Sequence, residues 1–354
     1  MLLVKAYLLS KFFVFSCFIL RKIAKSKMQY AVMWILNKST AIYVYYLCLR
    51  FYTPGETYKT THKIKFLKGA KNVDKKRVKE LKIIANKIRK NALTAVYSAS
   101  SGHPGGSLSI ADVLSVLYFE VMNVDPKNPK AEDRDRFVLS KGHCAPALYG
   151  TLAERGFFPV EDCKTFRRAD SYLQGHPDMK GVPGVDMSTG SLGQGICAAN
   201  GMALAAKIDN KDYHVYSILG DGELEEGQVW EAAMFAAHYQ LDNLTAIVDF
   251  NGLQIDGDIT KVMNPLPIDE KFKAFNWNVI VTDAHDPEAL YNALNEAKSV
   301  KGKPSVIIMK SVKGKGVSFM ENQAGWHGSA PNEEQYNQAI AELDAQIKEL
   351  EVEA

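Results

Sequence analysis

Between Tyr213 and Lys310 the chain alternates short apolar runs with longer amphipathic stretches, and this alternation constrains the fold more than any other feature. The runs Tyr213–Leu219, Leu244–Phe250, Trp277–Thr282 and Ser305–Lys310 have strand length and are rich in β-branched residues. Glu225–Tyr239 and Asp286–Ser299, set between them, have helical length and spacing. Strands alternating with helices predict an α/β fold, a parallel sheet with helices on both faces. Upstream, Asp74 is placed to cap a helix running to about Ser98, with Leu81, Ala85, Ile88, Ala92 and Val96 at helical intervals. A Gly/Pro loop, Ser100–Ser107, precedes a second helix over Ile110–Val121. Phe137–Leu139 reads as a short buried strand followed by a helix to about Glu154. Residues 171–195 read as a Gly/Pro-rich loop, Ile196–Lys207 as a small-residue helix, and Glu333–Leu350 as a polar helix.

Charge divides the chain unevenly. Residues 1–72 hold 13 Lys/Arg and a single acid, Glu56, while the remaining 282 residues carry a net charge of −9. An acidic body lacks the basic footprint of a nucleic-acid surface, so no nucleic-acid partner is expected. For residues 1–72 three readings stand: a signal peptide, a short interfacial membrane anchor, or an atypical basic and hydrophobic extension that is not native protein. No stretch there holds 18 apolar residues without a Lys, Asn or Arg, so a spanning helix is not expected. The expected organisation is 1–72 as this extension, 73–331 as the functional domain, and 332–354 as a C-terminal helix. Five cysteines show no CxxC or zinc spacing, which implies free thiols in a reducing compartment, the cytoplasm.

The strongest chemical signal is Gly220-Asp221-Gly222 with Asn251 thirty residues on. Each sits just past a predicted strand, and in an open parallel sheet ligands bind beyond the carboxyl ends of the strands. Asp221 and Asn251 are therefore expected to converge. A carboxylate, an amide oxygen and a backbone carbonyl suit a Mg²⁺ that keeps phosphate oxygens as its other ligands. The two glycines would let the backbone approach a diphosphate at the start of a helix. Asp221 alone would serve equally as the cap of an ordinary strand-to-helix turn; Asn251 favours the site. His103, His143 and His176 lie in Gly/Pro loops, where imidazoles can meet phosphate or sugar hydroxyls, and His327 in GWHGSAP is a fourth. His62, His214, His238 and His285 read as structural or solvent-facing. Gly190–Gly195 is a weak match to a nucleotide loop. Lys313-Gly314-Lys315-Gly316 reads as a solvated turn, and Glu225 and Glu226 as exposed acids in a helix's first turn.

Taken together, SGHPGGSLS, FVLSKGHCAPALY, GHPDMKGVPGVDMSTGSLGQG, LGDGELEEGQVWEAA, VDFNGLQIDG and WHGSAP, from about Lys75 to Pro331, resemble the diphosphate-binding domain of the transketolase family. The resemblance implies a thiamine diphosphate-binding fold and two cofactors, thiamine diphosphate and Mg²⁺. It implies that Asp221, Asn251 and the Leu253 carbonyl bind Mg²⁺, and that Gly222 and His143 meet the diphosphate. Gly190, Leu192 and Ile255 would line the pocket for the cofactor's rings. His103 and His176 would touch the sugar, and Glu226 would sit at a subunit interface. One departure is Ala324, three residues before His327, where the family carries a second histidine; the diphosphate-side role falls to His327 alone.

The family's pyrimidine-binding domain has no counterpart in the sequence. The chain is thus expected to be the N-terminal subunit of a split transketolase, paired two plus two with a C-terminal subunit. The expected reaction moves a two-carbon ketol group from a ketose phosphate to an aldose phosphate, as in the pentose phosphate pathway. Two alternatives stand: another thiamine diphosphate enzyme, similar to deoxyxylulose-phosphate synthase, or a non-catalytic binding protein.

Overall fold

The computed structural model describes residues 34–38, 41–45 and 73–352. The chain divides into two units, Met1–Lys68 and Gly69–Ala354. In the first, Trp34–Lys38 pairs antiparallel with Ala41–Tyr45. The three readings of residues 1–72 otherwise fall outside the described residues. Among those described, no helix is long and apolar enough to cross a membrane.

The second unit is built on five parallel strands: β1 (Arg136–Leu139), β2 (Val215–Gly220), β3 (Leu244–Phe250), β4 (Asn278–Asp283) and β5 (Ser305–Lys310), in the spatial order β1-β2-β3-β5-β4. Alternate residues of each strand enter opposite cores. Phe137, Ile218, Ile247 and Ile307 face one side, and Val138, Leu219, Val248 and Ile308 the other. A strand buried on both faces must be apolar throughout, hence the unbroken runs in the sequence. Fully burying each such side chain contributes about 1.5–3 kcal/mol.

The first face is covered by α1 (Lys75–Ser98), α3 (Ala111–Val116), α4 (Ala145–Arg155) and α9 (Pro287–Ser299), while α2 (Pro104–Ser109) places Leu108 in a separate small core. The second is covered by α5 (Gln194–Ile208), α6 (Gly227–His238) and α8 (Ile268–Ala274), with a short α7 (Ile259–Val262) before α8. Asp74 caps α1 by accepting from the Arg77 N–H at 2.7 Å, and Asp286 caps α9 through the N–H groups of Glu288 and Ala289. α10 (Glu333–Val352) lies along α1. Ala339 and Leu343 are buried with Leu93 and Leu108, Tyr336 stacks on Tyr97 with ring centroids 4.1 Å apart, and its hydroxyl meets Thr94 Oγ1 at 2.9 Å.

Three local expectations need correction. Within the expected loop 100–107, Pro104 opens α2, because proline's fixed φ suits a first helical turn. The expected helix Ile110–Val121 is instead α3 followed by a π-helical turn, Leu117–Val121, in which Met122 N–H reaches the Leu117 carbonyl. Nothing in the sequence announces α8; its seven residues, Ile268–Ala274, are too few to show a period.

Candidate functional site

The loops at the carboxyl ends of β1, β3 and β5 converge on one buried carboxylate, Asp249, the penultimate residue of β3. Its Oδ2 accepts from Lys141 Nζ at 2.5 Å, Ser109 Oγ at 2.7 Å and Asn251 Nδ2 at 3.1 Å, and its Oδ1 accepts from Ser311 Oγ. Lys141 also donates to the Gly106 carbonyl at 3.0 Å. Burial alone would push the Asp249 carboxyl up, but the Lys141 ammonium and these hydrogen bonds hold it below the usual carboxylate range.

Asp221 and Asn251 stand at adjacent strand ends. The Asp221 N–H donates to the Asp249 carbonyl at 3.3 Å. Asp221 Oδ1 accepts from the Gly222 N–H at 2.9 Å, as a cap would, but Oδ2 accepts from the Gly252 N–H at 2.6 Å and so bridges the two loops. Asn251 Oδ1 accepts from the Leu253 N–H at 3.1 Å. Burial, with the charge of Asp249, raises the Asp221 carboxyl to about 6. Gly222 leads not directly into a helix, as expected, but into a 3₁₀ turn, Gly222–Glu225; α6 begins only at Gly227.

Three imidazoles stand together above this floor. His103, His143 and His327 form a triangle with ring centroids 5.2, 5.4 and 5.2 Å apart. Burial first, then neighbouring cations, keeps all three neutral: His103 falls to about 4, His327 to about 3, and His143 lies well below its usual value. Lys313, 2% exposed, donates to the Leu253 carbonyl at 3.1 Å and lies 3.0 Å from His327 Nδ1. Among the described residues it has no carboxylate within salt-bridge distance, and burial followed by the charge of Lys141 lowers its pKa. The expectation of a solvated 313–316 turn is therefore wrong for Lys313, although Lys315 is half-exposed and pairs with Glu321 at 3.3 Å.

The other expected residues lie around this centre. His176 packs against Gly190, where an added Cβ would lie 3.1 Å from the imidazole. Leu192 is half-buried, Glu226 is exposed, and Ile255 is 62% exposed at the tip of a short antiparallel pair, Leu253–Gln254 with Gly257–Asp258, inside the expected loop 251–258. His214 and His285 are structural as expected: His214 Nε2 meets Thr245 Oγ1 at 2.8 Å, and His285 links Asp112 to the Val312 N–H. His238 is exposed.

Sequence reasoning misses Lys141, Asp249, Lys313 and Glu223. Glu223 joins three loops, accepting from Ser140 Oγ, the Gly193 N–H at 2.9 Å and the Gly220 N–H at 3.0 Å. The sequence holds one signal for Asp249. A lone acid inside a strand that is apolar on both faces must have a buried partner.

These residues fit a metal-bound diphosphate. A buried ammonium with no carboxylate beside it faces three neutral imidazoles, and His103 Nδ1 is buried with no hydrogen-bond partner among the described residues. Gly105 and Gly106 line the same space: a Cβ on Gly105 would lie 2.9 Å from the Trp326 carbonyl, and one on Gly106 would lie 3.2 Å from Lys141 Nζ. The hard oxygen donors of Asp221, Asn251 and Leu253 suit Mg²⁺.

Comparison with known proteins agrees with this chemistry. Residues 80–353 match the family described as transketolase, thiamine diphosphate binding domain. The 6-deoxy-6-sulfo-D-fructose transketolase subunit SqwG of Clostridium sp. (strain MSTE9) is 49% identical over 261 residues, 73% of this chain and 94% of that protein. An apulose-4-phosphate transketolase subunit of Phocaeicola vulgatus is 44% identical, over 78% of this chain and 98% of that one. Human transketolase is 42% identical, but the chain spans only 44% of its length. A crystal structure of a Pichia stipitis transketolase variant superposes with a TM-score of 0.70 at 36% identity, over 78% of this chain and 44% of that one. The chain belongs to the transketolase family and corresponds to its thiamine diphosphate-binding domain.

Proposed function

We propose that this chain is the cofactor-binding subunit of a two-subunit transketolase, which moves a two-carbon ketol group from a ketose phosphate to an aldose phosphate. The observation that carries the proposal is the buried Lys313, beside neutral His143 and His327 and bonded to the Leu253 carbonyl next to Asp221 and Asn251. Thiamine diphosphate, when bound, supplies the electron sink for breaking and remaking the carbon–carbon bond. The chain's own residues bind and orient. Asp221, Asn251 and the Leu253 carbonyl hold Mg²⁺, while Gly222, His143, His327 and Lys313 meet the diphosphate. Gly190, Leu192 and Ile255 border the cofactor's rings. His103 and His176 donate to or accept from the sugar's hydroxyls, which neutral imidazoles can do in either direction.

Two relatives named as transketolase subunits support a partner subunit for this chain. So does the apolar surface left open: Met234, Phe235 and Tyr239 are exposed on and just after α6, with Met263 and Ile255 beyond β3. We assign the partner as the pyrimidine-binding, C-terminal subunit, the assembly as two plus two with Glu226 at the interface, and the compartment as the cytoplasm. Free Cys144, Cys163 and Cys197 suit that compartment. Calorimetry and a coupled ketol-transfer assay test the reading. The chain should bind thiamine diphosphate only with Mg²⁺ and should transfer ketol groups only after its partner is added. Full activity of the chain alone, or no Mg²⁺-dependent binding, would overturn it.

A further inference from the structure

We infer that Asp249 is the positioning residue of the metal site: its carboxylate decides which end of the Asn251 amide faces the cation. The inference rests on the proposed cofactor site and goes beyond it, because Asp249 itself is behind the ligands.

The two ends of an asparagine amide have nearly the same shape, and only their hydrogen bonds distinguish oxygen from nitrogen. Asn251 Nδ2 donates to Asp249 Oδ2 at 3.1 Å, and Asn251 Oδ1 takes the Leu253 N–H at 3.1 Å. An ionised carboxylate can only accept, so the nitrogen must face Asp249 and the oxygen must face outward. The Asp221 backbone is held separately, its N–H donating to the Asp249 backbone carbonyl at 3.3 Å, so of the two side chains expected on the cation only Asn251 depends on the Asp249 carboxylate. Through Ser109, Lys141 and Ser311 the carboxylate also anchors α2, the loop after β1 and the loop after β5. One fully buried group thus sets the register of four segments. Such indirect partners of metal ligands are worth roughly 10- to 100-fold in metal affinity. Mg²⁺ tolerates misplacement less than Ca²⁺, because it demands near-octahedral geometry.

Asp249 also neutralises Lys141, so a single substitution confounds positioning with an orphaned charge. The experiment therefore uses Asp249→Asn combined with Lys141→Met, which removes both charges, alongside Lys141→Met alone. Full-length proteins are compared by calorimetric titration of thiamine diphosphate in Mg²⁺ and in Ca²⁺, and by thermal unfolding without ligand. We expect the double variant to unfold nearer the wild-type temperature than Lys141→Met does. It should still bind thiamine diphosphate at least about tenfold more weakly in Mg²⁺ and lose part of the wild-type preference for Mg²⁺ over Ca²⁺. A double variant with wild-type affinity and ion preference would overturn the inference, leaving Asp249 as a counter-ion only. If the double variant unfolds no nearer wild type than Lys141→Met, Asp249→Glu replaces it: this variant keeps the charge but moves the carboxylate, and unchanged ion preference would again overturn the inference. Failure of the wild-type chain to bind thiamine diphosphate in Mg²⁺ would instead count against the proposed function.

Discussion

Two lysines lie buried within one site and are treated in opposite ways. Lys141, at the floor, meets Asp249 at 2.5 Å, and that pairing outweighs the cost of burial and raises its pKa. Lys313, at the rim, has a carbonyl and an imidazole for company, and its pKa falls. The floor is electrically complete and the rim is not. A protein tolerates a buried, uncompensated cation only where something else supplies the balance. The contrast separates the part of the site that builds the fold from the part that awaits an anion.

The contrast can be broken in four places. Removing the carboxylate next to the cation should do most damage. Asp221→Ala is expected to abolish Mg²⁺-dependent thiamine diphosphate binding, a loss beyond about 100-fold in calorimetry; retained affinity would move the metal site elsewhere. At the floor, Lys141→Met leaves Asp249 buried without its counter-ion, and chemical denaturation should register a loss of about 3–5 kcal/mol. At the rim, Lys313→Met should reverse that sign, stabilising the ligand-free chain by about 1–2 kcal/mol while weakening cofactor binding roughly tenfold. Destabilisation by both substitutions would erase the distinction. Two residues on, Lys315→Ala loses only a half-exposed pair with Glu321, and its effect should stay within about 0.5 kcal/mol.

Acidity sharpens the same picture. His103 and His327 titrate near 4 and 3 in the folded chain, below the value of about 6.5 expected when unfolded. As pH falls the unfolded chain takes up protons first, so the stability present above pH ~6.5 is lost progressively toward pH ~3. Asp221, raised to about 6, acts in the other direction on the fold but must lose its proton to hold a cation. Melting temperature and Mg²⁺ affinity should therefore both decline with acid, for different reasons. A His327→Asn variant should flatten the first decline and leave the second.

The sequence is most readable where a rule acts along the chain. Leu244–Phe250 and Ser305–Lys310 are delimited to the residue because burial on both faces forces uninterrupted apolar runs. Asp221 and Asn251 are legible because adjacent parallel strands bring their ends together. Lys313 and Lys315 are indistinguishable in sequence, since both have glycine neighbours and only the packing of α2 and the 324–327 turn buries one of them. Glu223 is hidden among the four acids of the segment Asp221–Glu226, with nothing local to mark which one folds inward. Charged residues chosen by tertiary partners leave no period to read.

The clasp of α10 on α1 has a consequence for how the chain comes off the ribosome. Leu93 and Leu108 lie in the earliest described helices, yet the side chains that seal them, Ala339 and Leu343, are synthesised more than two hundred residues later. Until then α1 presents an uncovered greasy strip, together with the helix that carries Gly105 and Gly106. Pairing across so long a stretch is slow to find, and an apolar strip left open in the meantime is the kind of surface that invites aggregation. The helix that borders the cofactor pocket thus gains its last packing partners only once the far end of the chain has been made.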